Sequence, residues 1–141
     1  MSIDSHILKP LKFFADFKQH ELETWASALK SRSVEAGEVL IEKGTPALTF
    51  FIIISGTYEV AFEEGRSMTC ERTGEIMGWS TVISPFHYIG TITAKEDGEV
   101  LEISSRDFVE LIQRDNALGE KIMKKINKIA SKTRAIATGS Q

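Results

Sequence analysis

The stretch GEIMGWSTVISPFHYIGTITA, Gly74–Ala94, gathers the residue types of an anion-binding loop. Gly78 precedes Trp79, Ser80 and Thr81, and a glycine followed by hydroxyl residues suits the start of a short helix. Backbone N–H groups at such an end point toward a bound anion, and the helix dipole favours negative charge there. Glu75 is the one residue of the stretch with a full charge near neutral pH, so the usual cation is missing. His87 is the side chain that would become cationic in mild acid, an imidazole titrating near ~6.5. Were it the cation, anion affinity would fall as pH rises through that value. Tyr88 offers a hydrogen-bond donor and Trp79 a large apolar wall. Structural alternatives stand beside each role: Trp79 as a pocket filler, His87 as a surface histidine, Ser80 and Thr81 as helix caps.

Other chemistries find little support. His6, His20 and His87 are the only histidines, widely separated and without a His-x-His pair, so a cupin-like metal enzyme lacks its ligand set. No Ser-His-Asp or paired-carboxylate arrangement is distinguishable. The expectation is a protein that is not an enzyme and holds no metal.

The elements that must position this loop follow from periodicity. Leu22, Trp25, Ala26 and Leu29 fall on one face of an amphipathic helix, after a shorter apolar cluster that Pro10 interrupts. Past Ser31 the period changes. Val39–Ile41 is a short apolar run, and Phe50–Ile54 a continuous one suited to a strand buried on both faces. Tyr58, Val60 and Phe62 alternate with polar or small residues, Glu64-Gly65 marks a turn, and Met68 and Cys70 resume the alternation. Further strands are expected at 89–93 and 99–103. Many short strands with glycine turns argue for an antiparallel barrel or jelly roll. Ser104 and Ser105 are N-cap candidates for a helix carrying Phe108, Leu111 and Ile112, and a last helix runs from near Asn116 to about Ala135.

At 141 residues, 42% hydrophobic and 26% charged, the chain fits one ordinary globular domain. A single cysteine, Cys70, excludes an intrachain disulfide, reads as a packed strand residue and fits a reducing compartment. No signal-peptide pattern opens the sequence and no apolar run approaches the ~18 residues of a membrane span, so a cytoplasmic protein is expected. Net charge is −3 but uneven: from Glu120 onward there are six basic residues and one acid. That asymmetry would suit a nucleic-acid or membrane contact, or a solvated helix face.

Four stretches together resemble the cyclic-nucleotide-binding domain, the effector domain of catabolite activator protein and FNR-type regulators. They are LKPLKFFADFKQHELETWASAL, EAGEVLIEKGTP, FFIIISGTYEV and GEVLEISSRDFVELIQRD, within a likeness covering roughly Leu8 to Arg134. The resemblance implies a mostly β fold with flanking helices: an antiparallel double-stranded β-helix, or jelly roll, with short N-terminal helices and a long C-terminal helix. The implied layout of 1–141 is a single domain, with helices at 4–30, the β-roll at 31–103 and C-terminal helices at 104–137. It also places Gly74–Ala94 where the family carries its phosphate-binding cassette. There a glutamate meets the ribose 2′-hydroxyl and an arginine meets the cyclic phosphate. Gly78 matches, but Trp79 stands at the glutamate position and Tyr88 at the arginine position. Each lost charge-assisted bond costs ~1.5–3 kcal/mol, so two losses would weaken binding ~100-fold or more. Standard binding of cyclic AMP or cyclic GMP is not expected.

In the last helix Gly119, Ile122, Ile126, Ile129, Thr133 and Ile136 are spaced 3, 4, 3, 4, 3, a short heptad seam. One use is a homodimer interface through Ile122, Ile126, Ile129 and Thr133; the other is packing on the barrel. Lys125 and Lys132 at g, opposite Met123 and Ala130 at e, favour a parallel pair. In the family this helix approaches the nucleobase, and counting from Tyr88 puts Thr133 at a base-contacting threonine, unless it is merely a small seam residue.

The resulting expectation is a regulatory small-ligand sensor with a non-standard pocket, homodimeric through its last helix. Its candidate ligand-binding residues are Gly78, Trp79, Ser80, Thr81, His87, Tyr88 and Thr133. A cyclic nucleotide or another small anionic ligand is the candidate occupant, and a further regulatory protein a candidate partner. The alternative is a degenerate domain acting only as an interaction or dimerisation unit. A transcription factor would need a DNA-reading helix-turn-helix after the last helix. The sequence stops at Gln141, and the lysine-rich helix lacks the groups of base readout, so no DNA-binding domain and no direct nucleic-acid contact are expected.

Overall fold

The computed structural model describes residues 3–139. Two 3-10 turns, Ser5–Ile7 and Lys12–Phe14, lead into helix α1 (Gln19–Ala28). Eight strands follow: β1 (Lys30–Val34), β2 (Val39–Ile41), β3 (Thr49–Ser55), β4 (Tyr58–Ala61), β5 (Ser67–Cys70), β6 (Ile76–Met77), β7 (Thr91–Ala94) and β8 (Gly98–Ser104). Helices α2 (Ser105–Arg114) and α3 (Asn116–Thr138) close the described chain. The strands form two four-stranded sheets, ordered β1-β8-β3-β6 and β2-β7-β4-β5, with every paired neighbour antiparallel. This is the jelly roll with flanking helices that the residue pattern and the resemblance imply.

The continuous apolar run of β3 has a clear cause. Phe50 and Ile52 pack outward under the helices, while Phe51 and Ile53 face the interior of the roll. A strand covered on both faces needs no alternation. β8 does the same with Leu101 and Ile103 on one side and Val100 on the other. The outer core is centred on Trp25, fully buried, with Phe14 edge-on at 5.3 Å and Phe108 at 5.4 Å. Ring pairs of this kind add about 0.5–1.5 kcal/mol each beyond burial. They offset the Trp25 indole N–H, which has no acceptor among the described residues.

The helix starts follow their caps. The Ser104 hydroxyl accepts from the Asp107 N–H at 3.1 Å, and the Asp115 carboxylate accepts from the Leu118 N–H at 3.2 Å. Three boundaries differ from expectation. β1, sequence KSRSV, carries no apolar alternation because only Val34 is buried; its pairing to β8 makes it a strand. β7 begins at Thr91, since residues 83–90 form the loop crossing the site. α3 runs on to Thr138, where Gly139 ends it in the left-handed conformation at φ 74°.

α3 lies along its own body. Leu118, Ile122, Ile126 and Ala130 are fully buried in the outer core. Lys121 Nζ donates to the Glu21 carboxylate at 2.7 Å, and Lys125 Nζ to the Asp16 carboxylate at 2.7 Å. Among the described residues no helix is long and apolar enough to cross a membrane.

Candidate ligand pocket

The loop after β6 is shaped by one glycine. Gly78 sits at φ 86°, and a Cβ there would lie 2.7 Å from the Thr49 carbonyl oxygen. Only glycine meets both demands. The helix expected after it is a single 3-10 turn, Trp79–Thr81. The Thr81 N–H and hydroxyl both donate to the Gly78 carbonyl, at 3.1 and 3.0 Å. Thr81 therefore closes the turn, and no long helix dipole backs the loop.

Tyr88 ties the far end of the loop to β3. Its hydroxyl donates to the Thr49 carbonyl at 2.7 Å and accepts from the Thr49 N–H at 2.9 Å. Burial raises its phenol pKa, against a smaller opposing effect of those backbone bonds, so the ring is neutral at ordinary pH. His87 is exposed, with Nδ1 3.1 Å from the Pro85 carbonyl, and is not among the residues lining either cavity described below.

Gly78, Trp79, Ser80 and Tyr88 meet Thr133 of α3 around an inner cavity of about 50 Å³. The remaining walls are apolar, with the sulfur atoms of Met68, Cys70 and Met77 beside Ile41, Val60 and Ile92. No lining residue carries a formal charge at neutral pH. Burial pushes the Cys70 thiol up to about 12, with help from the nearby Glu75 carboxylate. The Thr133 hydroxyl is committed to the Ile129 carbonyl at 3.0 Å. Trp79 is 5% exposed and belongs to the outer core as well as the cavity wall.

Outside this cavity, and sharing Phe62, Tyr88 and Ile89 with it, lies an open groove of about 490 Å³. Lys43, Gly44 and Glu63 form one side, Arg134 and Ala137 of α3 the other. The Arg134 guanidinium lies 4.9 Å from the Trp79 ring centroid and donates to the Ser84 carbonyl at 2.9 Å. Lys43 pairs with Glu63 at 2.6 Å.

The sequence does not single out Arg134, Lys43 or the sulfur-bearing wall as parts of the site. The alternation of Val60, Phe62, Met68 and Cys70 marked the inward face; Arg134 was counted only as one more basic residue of the tail. Of the seam residues, Ile122 and Ile126 are covered by their own chain and have no surface left for a second copy. Lys125 faces Asp16, so its place in a dimer register is taken. Ile129 and Thr133 stay partly exposed, and Ile136 is 42% exposed. Among the described residues no cluster of three or more His, Cys, Asp or Glu could hold a metal ion.

The family model described as the cyclic nucleotide-binding domain matches residues 31–115. An NTE family protein of Mycobacterium tuberculosis is 24% identical over 131 residues, spanning 93% of this chain and 22% of that protein. The chain thus covers about a fifth of the length of that relative. Among solved structures, a protein described as cyclic nucleotide-binding from Geobacter metallireducens superposes with a TM-score of 0.80 at 23% identity, over 89% of this chain and 94% of the other. The regulatory subunit of a cAMP-independent protein kinase A from Trypanosoma brucei gives 0.70 at 18% identity, over 91% of this chain and 43% of that one. These structural likenesses are likenesses of fold.

Proposed function

The chain belongs to the cyclic nucleotide-binding domain family, and from that premise we propose that it is a regulatory small-ligand sensor whose pocket is not the standard one for cAMP or cGMP. The observation that carries this reading is the floor of the pocket. By the family resemblance Tyr88 takes the place of the phosphate-binding arginine, and its hydroxyl is spent on Thr49. The inner cavity has about 50 Å³ and no charged wall, whereas sites for ligands of ordinary drug size have roughly 300–1,000 Å³. A similar fold occurs in the regulatory subunit of a protein kinase A from Trypanosoma brucei that is described as cAMP-independent.

In this reading the described residues act as one domain, with the N-terminal helices ending at Ala28, the β-roll running from Lys30 to Ser104, and helices Ser105–Arg114 and Asn116–Thr138 after it. Gly78, Trp79, Ser80, Tyr88 and Thr133 contact the ligand; Thr81 and His87 shape the loop. A homodimer would use what α3 leaves exposed, Ile129 and Ile136, with Thr133 between them at the edge of the cavity. The one free cysteine suits the cytoplasm. We assign the domain no catalytic role. A calorimetric titration against cyclic nucleotides, other nucleotides and small anions tests the proposal. Saturable binding of a non-cyclic ligand supports it; tight cAMP or cGMP binding removes the non-standard pocket.

A second reading, an interaction or dimerisation unit with no ligand, is favoured by Trp79, which is 5% exposed and part of the core. Absence of binding across the panel would select it.

A further inference from the structure

We propose that the site takes a small organic anion with an apolar end, seated with its apolar end inward and its headgroup outward against Arg134. The inference rests on the sensor reading above and names its ligand class. In the family resemblance the anion sits at the cassette. Here the deep cavity has no formal charge in its walls and is dominated by aliphatic and sulfur-bearing side chains. An anion placed there would be desolvated without a partner, at a cost of several kcal/mol. A short alkyl end of a few carbons placed in its about 50 Å³ forfeits no polar partner, and the rest of a longer chain lies in the groove.

Charge appears one layer out. The groove of about 490 Å³ carries Lys43, Glu63 and Arg134 on apolar walls of Phe62, Ile89 and Ala137. Among the described residues lining the groove, Lys43 is paired with Glu63 at 2.6 Å, which leaves Arg134 as the cation without a carboxylate partner that a headgroup would meet. Its guanidinium is held in place by the Trp79 ring at 4.9 Å and by one bond to the Ser84 carbonyl at 2.9 Å. Guanidinium has five N–H donors, so a carboxylate or phosphate can still be bound. The shared residues Phe62, Tyr88 and Ile89 make cavity and groove one continuous path. The Ser80 hydroxyl makes no hydrogen bond among the described residues and offers the inner end one polar contact.

The test is calorimetry with hexanoate and octanoate, their alcohols 1-hexanol and 1-octanol, inorganic phosphate and cAMP, on the full chain. Saturable octanoate binding is expected, with the alcohol at least about tenfold weaker. Arg134→Met should cost octanoate about tenfold or more, and Arg134→Lys only a few-fold. Glu63→Gln, an exposed change that removes a rim anion, should strengthen octanoate severalfold and leave octanol unchanged. A fold defect in the Arg134 variants would not produce that gain. Equal affinity for octanol and octanoate, or no response to Glu63→Gln, overturns the inference. Binding of cAMP without octanoate overturns it while leaving a ligand sensor standing. No heat from any probe up to about 10 mM removes both.

Discussion

Tyr88 is a phenol standing where an ionic contact would be expected, and its hydroxyl now serves the fold. Both its donor and one acceptor position are used by Thr49, at 2.7 and 2.9 Å. Tyr88→Phe should therefore lower stability by about 1–3 kcal/mol, since it leaves two backbone groups of β3 without partners. His87→Ala, in an exposed loop position, should stay within about 0.5 kcal/mol. Denaturant midpoints of the two variants check this. Cys70 gives a second residue-scale expectation. Its thiol is buried and pushed up to about 12, so it should resist thiol reagents at pH 8 and react at once in denaturant. Fast labelling of the folded protein would contradict the buried wall. At this scale the sequence made Gly78 and Trp79 readable, because glycine and tryptophan are distinctive at a turn. It could not reveal that the Tyr88 hydroxyl points into β3, since that bond joins residues 39 apart in the chain.

α3 shows how one pattern supports two readings. A spacing of 3 and 4 is common to a heptad seam and to a stripe packed on a globular core. The buried set Leu118, Ile122, Ile126 and Ala130 decides for the second along most of its length. Two of the tail's five lysines, Lys121 and Lys125, have intramolecular partners in Glu21 and Asp16, while Lys124, Lys128 and Lys132 are exposed. Burial alone would raise the Glu21 carboxyl. The bonds from Lys121 and the Lys18 N–H outweigh it and hold the carboxyl below its ordinary value of 4.5. The Lys125 hydrogen bond likewise lowers Asp16 below 3.8. Groups lowered on folding contribute stability that is complete above their unfolded pKa and lost as pH falls through the folded one. Docking of α3 should thus weaken below about pH 4.5. Lys121→Met should cost about 2–3 kcal/mol and flatten that acid limb in a stability–pH profile. A profile identical to the parent would contradict the docking role. Gly119 sets the same docking from another side: a Cβ there would lie 2.4 Å from the Ile112 carbonyl oxygen. Gly119→Ala should cost about 1–3 kcal/mol by forcing α3 off α2. β1 was illegible because its order comes from pairing with β8 rather than from its own side chains.

For the whole molecule, the fold was readable because strand spacing, glycine turns and helix caps agree with one another. The occupant of the pocket was less so, since cavity and groove are assembled from β2, β4, β5, the loop after β6 and the end of α3. Oligomeric state follows from what α3 leaves exposed. With Ile122 and Ile126 spent internally, the remaining face is short. Sedimentation should find a weak dimer, and Ile136→Lys should make it monomeric. An unchanged dimer in that variant would place the interface elsewhere. This family member is proposed to lack the standard nucleotide site, and titration of the parent protein with cAMP is the decisive measurement. The prediction is no saturable heat up to about 1 mM. A dissociation constant of about 10 µM or tighter, with one nucleotide per chain, would contradict it.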